Sequence, residues 1–125
     1  MSRASRQKGQ RGEREICKLL AEKFGGEFKR NLSQTQNGGY DVLGLDGFAI
    51  EVKFQEKLSI EKWYKQAVDQ AEEKTPVLFF RRSREPWRVA LPGPFNDKPL
   101  ELFYSIISVE SFAENINDYR GKSQT

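Results

Sequence analysis

YDVLGLDGFAIEVKF, Tyr40 to Phe54, is the stretch on which the fold of this chain turns. Two apolar-rich runs, Tyr40 to Leu45 and Phe48 to Phe54, flank Asp46-Gly47, a dipeptide suited to a tight hairpin turn. Side chains alternate between faces along a strand. Phe48, Ile50, Val52 and Phe54 therefore share one face, and Ala49, Glu51 and Lys53 share the other. Two registers are open. A two-residue loop sets Asp41 against Val52, on the apolar side, whereas a three-residue loop with Gly47 left-handed in a G1 bulge sets Asp41 against Glu51.

Working outward, Ile16, Cys17, Leu20 and Phe24 recur at helical spacing from Gly12 onward, and Gly25-Gly26 ends that helix. Residues 1–11 carry no apolar periodicity and read as a flexible basic arm. Glu27 to Arg30 fits a short strand, and Asn31 to Gly39 fits a polar loop. Downstream, Ser59 can N-cap a helix whose stripe is Ile60, Trp63, Tyr64, Ala67, Val68 and Ala71. Val77 to Phe80 reads as a strand buried on both faces, and Trp87 to Leu91 as a further strand. Pro92 to Pro99 reads as a loop. Leu100 to Ile107 fits helix and strand equally, Val109 to Ile116 fits a short helix after Ser108, and the tail from Arg120 reads as frayed. The order α-β-β-β-α-β-β predicts a single α/β domain over residues 12–119, with a mixed central sheet flanked by helices.

Composition narrows the chemistry. The chain of 125 residues has no histidine and one cysteine, which excludes imidazole bases, thiolate or His-ligated zinc and an intrachain disulfide. Carboxylates, lysine and a hard cation are left to carry any reaction. The net charge of +3 is unevenly spread. Arg3, Arg6, Lys8 and Arg11 precede the first acid, Lys29 and Arg30 open an acid-free stretch, and Arg81, Arg82, Arg84 and Arg88 cluster near the fifth strand. Basic segments of this kind predict a polyanionic partner. No apolar run reaches the length of a membrane span and no signal-peptide core is visible, so a soluble, intracellular protein is expected.

Glu51 and Lys53 point the same way from the last strand of the hairpin, and Asp41 enters from its partner. Two carboxylates held together suit Mg²⁺, and a lysine beside them can orient water or stabilise charge on a phosphate. Sharing one cation requires the three-residue loop, so a positive φ is predicted at Gly47. Glu-x-Lys alone also describes an ordinary surface pair. Glu13, however, lies on the same helical stripe as Ile16, Cys17, Leu20 and Phe24, while Glu15 lies roughly opposite, toward water. Glu13 reads either as a member of the site or as a helix-end charge favoured by the dipole. Gln66 and Gln70 flank the second helix's stripe, positioned to meet a phosphate or to face solvent.

Lys8-Gly9, Gly12-Glu13-Arg14-Glu15, Arg30 with Ser33, Gly39-Tyr40-Asp41 and Ile50-Glu51-Val52-Lys53 together resemble the PD-(D/E)XK nuclease superfamily. Within it the pattern is most similar to archaeal-type Holliday junction resolvases and their small phage relatives. The resemblance covers residues 8 to 91 and implies a restriction-endonuclease-like αβββαβ core. It makes Glu13 the helix glutamate, Asp41 and Glu51 the metal-binding carboxylates, Lys53 the catalytic lysine and Ser33 the loop serine. Two departures stand out: Tyr40 replaces the proline of the superfamily's name, and Ser33 lies farther from Asp41 than in the family.

The resulting expectation is an Mg²⁺-dependent, structure-selective DNA endonuclease, with Mn²⁺ able to substitute. Catalysis is assigned to Glu13, Asp41, Glu51, Lys53 and Gln66, and metal binding to Asp41, Glu51 and the Val52 carbonyl. Arg6, Lys8, Arg11, Lys29, Arg30, Ser33, Arg81 and Arg82 are the expected DNA contacts. A four-way junction cut symmetrically needs two sites, hence a homodimer. The alternatives are a nicking or repair endonuclease of the same superfamily and a catalytically silent nucleic-acid-binding module.

Overall fold

The computed structural model of the chain describes residues 3–33, 38–93 and 104–124, and beyond residue 116 only the backbone. One sheet contains, in spatial order, β1 (Lys29–Arg30), β2 (Val42–Leu43), β3 (Phe48–Phe54), β4 (Thr75–Arg81), β5 (Arg88–Pro92) and β6 (Tyr104–Ser108). Neighbours are antiparallel except β3 and β4, which run parallel. A parallel pair cannot be closed by a hairpin, and α2 (Ile60–Ala71) makes the crossover. Helix α1 (Arg3–Phe24) precedes the sheet and α3 (Val109–Gln124) follows it. This is the mixed α/β architecture expected, and the described part of the ambiguous segment, from Tyr104 on, is β6.

Helices on both faces explain why β3 and β4 are apolar in nearly every position. Phe48, Ile50, Val52, Val77, Phe79, Val89 and Leu91 pack against Ile16 and Leu20 of α1 and Phe112 and Ile116 of α3. Phe112 is the hub, met edge-on by Phe24, Phe48 and Phe79 at 6.3, 5.9 and 5.7 Å. On the opposite face Leu78, Phe80 and Ala90 meet Trp63 and Tyr64 of α2, and Ala49 meets Tyr40 and Ala71. Full burial of each large side chain contributes roughly 1.5–3 kcal/mol, so the sheet is stabilised from both sides.

The hairpin takes the register of the three-residue loop. Val42 pairs with Ile50, Gly47 has φ +85°, and the Leu45 carbonyl accepts the Phe48 N–H at 3.2 Å. Gly44 was not anticipated. Its φ is +132°, and a Cβ there would lie 2.6 Å from the Glu27 carbonyl oxygen and 2.7 Å from the Phe28 ring. Gly44→Ala should therefore destabilise the domain by about 1–3 kcal/mol, as measured in urea melts. A change within ±0.5 kcal/mol would refute this close approach.

Several local expectations need correction. The segment read as a flexible arm is helical from Arg3, continuous with the amphipathic helix that follows and supported by i,i+4 pairing of Arg11 with Glu15. Gly12 is buried within this helix rather than starting it. A Cβ on it would come 3.0 Å from Phe54 Cβ and 3.3 Å from Trp87, so its small size lets α1 lie close to β3. The first hairpin strand shortens to Val42–Leu43. Ser59 makes no side-chain cap, whereas Ser108 does, its Oγ accepting the Ser111 N–H at 3.0 Å. The α3 backbone is helical through Gln124, across the tail read as frayed. Of the loop expected over Pro92 to Pro99, Pro92 closes β5 and residues 94–99 lie outside the described ones.

Candidate active site

The site arises because β2 is shorter than its partner. β3 runs from Phe48 to Phe54, yet its ladder with β2 holds the single Cα pair Val42–Ile50. Beyond Ile50 the β2-facing edge of β3 opens onto a cleft. At the break stands Asp41. Its N–H donates to the Ile50 carbonyl (2.7 Å), its carbonyl accepts from Asn31 N–H (2.8 Å), and its Oδ2 accepts the Val52 N–H (2.8 Å). A side-chain carboxylate thus takes the backbone donor that a continued ladder would have satisfied. That bond fixes the carboxylate against β3.

Glu51 follows from the same register. Its residue is only 3% exposed, although it is ionisable. Burial raises its pKa first, the charge of Asp41 and a hydrogen bond with Asp41 raise it further, and the Lys53 ammonium opposes them, leaving it at about 9. The two carboxyls behave as one unit holding a proton between them. With its amide nitrogen turned inward, Gln70 of α2 donates to the Gly39 carbonyl (3.0 Å) and to Glu51 Oε1. Glu13 comes from α1, its Oε1 accepting Arg30 Nε–H at 2.9 Å. Burial lifts the Glu13 pKa, Arg30 pulls it down, and the nearby Asp41 charge adds to the rise.

These groups line a cleft of about 980 Å³. Of the expected catalytic and metal-binding residues, Glu13, Asp41, Glu51, Val52, Lys53 and Gln66 all reach it. Arg6 and Lys8 of α1 form one wall, and Arg30 and Ser33 the other. Four expected DNA contacts lie elsewhere. Arg11 pairs with Glu15 (2.9 Å), Lys29 with Glu27 (3.3 Å) and Arg82 with Glu85 (2.7 Å). Arg81 is the plainest correction. Its side chain is 12% exposed, forks onto Glu15 at 3.0 and 3.2 Å, and stacks 3.8 Å over the Phe54 ring. A guanidinium so enclosed holds α1 to the sheet and has little surface to offer a phosphate.

Glu15, expected to face water, is only half-exposed and is turned onto Arg81. It also accepts Trp87 Nε1–H at 3.1 Å, and although burial pushes its pKa up, the donors Arg11, Arg81 and Trp87 bring it below the usual carboxylate value. Gln70 was weighed from its helical position but not assigned, and it is Gln70 that reaches Glu51. Asn31 was missed altogether. It is buried, and its Nδ2 donates to the carbonyls of Tyr40 (2.8 Å) and Gly38 (3.2 Å), tying the loop base to Asp41's neighbour. An asparagine in a polar run gives no sign of this role.

The donor set fits a hard divalent cation. Among the described residues no three His, Cys, Asp or Glu side chains gather into a metal cage. Mg²⁺ characteristically uses one or two carboxylates and completes its shell with water and substrate phosphate. Asp41 and Glu51 provide that pair, and the upward push that the Asp41 charge gives the buried Glu51 carboxyl marks where a cation would relieve their repulsion.

A sequence model of the family described as "Phage putative PDDEXK endonuclease" matches residues 4–121. No curated protein matches significantly. Among solved structures, the chain is similar to a Holliday junction resolvase, Hjc, from the archaeal hyperthermophile Archaeoglobus fulgidus. The identity is 19%, the TM-score 0.51, and the alignment covers 87% of this chain and 98% of that one, a likeness of fold. Among the described residues no helix is long and apolar enough to cross a membrane. With the family match running through α1, the β2–β3 hairpin and the strands beyond it, this chain belongs to the phage PDDEXK endonuclease family.

Proposed function

We propose that this nuclease is a divalent-metal-dependent endodeoxyribonuclease acting inside the cell on branched DNA, with a four-way junction as its best substrate. The observation that carries the reading is the pair formed by buried Glu51 and half-buried Asp41 beside Lys53, in a cleft also lined by Arg6, Lys8 and Arg30. Asp41, Glu51 and the Val52 carbonyl would hold Mg²⁺, with Mn²⁺ able to replace it. When bound, the ion supplies Lewis-acid stabilisation of charge on the phosphate. Lys53, on the same strand face as Glu51, orients the attacking water and offsets charge on the phosphoryl oxygens. The water's oxygen bonds to phosphorus as the bond to the 3′ oxygen breaks, the water's proton passes to solvent and the departing 3′ oxygen takes one up, leaving a 5′-phosphate and a 3′-hydroxyl, with Gln66 facing the substrate from α2. Glu13 and Arg30 steady the wall nearest Asp41.

Two features favour branched DNA. The archaeal protein that shares this fold is a Holliday junction resolvase. Leu32, at the cleft mouth, is 79% exposed beside the buried Asn31, as suits a wedge against bases already unstacked at a branch point. Symmetric cleavage of a junction would make the working form a homodimer.

Labelled four-way junction, duplex and single-stranded DNA, incubated with Mg²⁺ or with EDTA, test the reading. Junction should be cut only with metal and should outcompete duplex of equal length. Binding should weaken steeply as salt rises, since each phosphate contact releases a counterion. Equal affinity for junction and duplex would leave a nicking or repair enzyme. Binding without cleavage in any divalent metal would leave a silent binding module.

A further inference from the structure

Glu56 lies in the segment between β3 and α2, and its Oε2 accepts three donors from two other parts of the chain. Lys8 Nζ arrives from α1, and Ser83, in the β4–β5 turn, gives both its N–H (3.1 Å) and its Oγ–H (2.8 Å). An ammonium, an amide and a hydroxyl converging on one anionic oxygen is how proteins hold a backbone phosphate.

The donors are fixed independently of Glu56. The Lys8 ammonium also sits 4.8 Å over the Phe54 ring, and the turn carrying Ser83 is closed by Glu85 N–H to the Arg82 carbonyl (3.2 Å) and by the Arg82–Glu85 ion pair. The acceptor is not fixed. Glu56's side chain is 58% exposed, and an exposed ion pair is a weak restraint. Hydrogen bonds from Lys8 and Ser83 hold its carboxyl down at about 2, so it is anionic at any working pH. Lys8 and Glu56 both line the cleft that leads to Asp41 and Glu51.

We propose that Lys8 and Ser83 form a seat for a DNA backbone phosphate, and that Glu56 fills it as an internal phosphate mimic until DNA displaces it. The proposal rests on the nuclease reading for the identity of its ligand. In the free protein the seat is neutralised, so loose encounters with DNA gain little from Lys8. Only a strand lying along the cleft, with a phosphate placed to replace the carboxylate, recovers those donors.

Equilibrium binding of labelled junction in EDTA, by fluorescence anisotropy on the full chain, tests this with Glu56→Gln, Ser83→Ala and the double variant. Glu56→Gln should tighten binding by roughly two- to fivefold, the strength of an exposed ion pair. Loss of a repelling charge alone would do the same, so Ser83→Ala, which changes no charge, decides the matter. In the Glu56→Gln background Ser83→Ala should weaken binding by roughly two- to fivefold. With Glu56 present its effect should be smaller, because it also loosens the competitor. In the Glu56→Gln background, Lys8→Met should lower the slope of log affinity against log salt by about one. If the protein binds and cuts DNA but Ser83→Ala is silent beside Glu56→Gln, the seat is refuted and the nuclease reading stands. If no form binds DNA, both fall together. Circular dichroism melts on each variant confirm that folded proteins are being compared.

Discussion

Asp41→Asn, Glu51→Gln and Lys53→Ala should each slow junction cleavage by at least about 10²–10³-fold, while junction binding holds or strengthens in the two carboxylate variants and falls only modestly in Lys53→Ala. The asymmetry follows from charge. Each carboxylate removed weakens the hold on the cation but also removes repulsion of phosphate. Lys53 opposes the rise in Glu51's pKa, so its loss leaves the carboxyl pair more firmly protonated at neutral pH as well as removing a cation from the cleft. Glu13→Gln should cost less than any of these, because Glu13 sits one step back, held by Arg30 at 2.9 Å. Single-turnover rates with labelled junction, beside anisotropy titrations of the same samples, separate chemistry from binding. Near-normal turnover in any of the first three variants would remove that residue from the proposed machinery.

Stability of the metal-free protein should fall as pH rises, opposite to the usual behaviour of a carboxylate. The folded pKa of Glu51 is raised from 4.5 to about 9, first by burial and then by Asp41. Between those values the folded state holds a proton that the unfolded state has released. The contribution of Glu51 is therefore fully present below pH 4.5 and is lost progressively as pH climbs toward 9, whereas carboxylates with lowered pKa values, such as Glu15, act only at the acid end. Each unit of separation between the two pKa values corresponds to about 1.4 kcal/mol. Glu51→Gln keeps the shape and the hydrogen bonding but cannot ionise, so it should flatten this slope and stabilise the metal-free domain at pH 8 by about 1–3 kcal/mol. Added Mg²⁺ should restore much of the loss in the unaltered protein and nothing in Glu51→Gln. Urea melts at pH 5 and pH 8, with and without metal, make the comparison. A flat pH profile for the metal-free protein would mean that Glu51 is not enclosed with Asp41 as described.

Local chemistry determined a large part of this molecule from the sequence alone. Alternation along Phe48 to Phe54 put Glu51 and Lys53 on one face, and Asp46-Gly47 placed Asp41 on the partner strand of a hairpin, although it left two registers open. The absence of histidine and the single cysteine confined any reaction to carboxylates, lysine and a hard cation. Those conclusions rest on neighbours within one strand pair, where spacing alone settles geometry. Tertiary structure decided what such spacing cannot carry. The basic N-terminus is helical from Arg3, and Lys8 on it meets Glu56, forty-eight positions away, a contact that composition does not reveal. Arg81 holds the fold together and Glu15 is drawn inward because they meet across sixty-six positions, with Trp87 closing the group. Gln70 reaches Glu51 and Gln66 only lines the cleft, a choice made by how α2 seats on the sheet. Whether a charged side chain faces a phosphate or another residue depends on which opposite charge folding brings nearest, and composition holds no record of that distance.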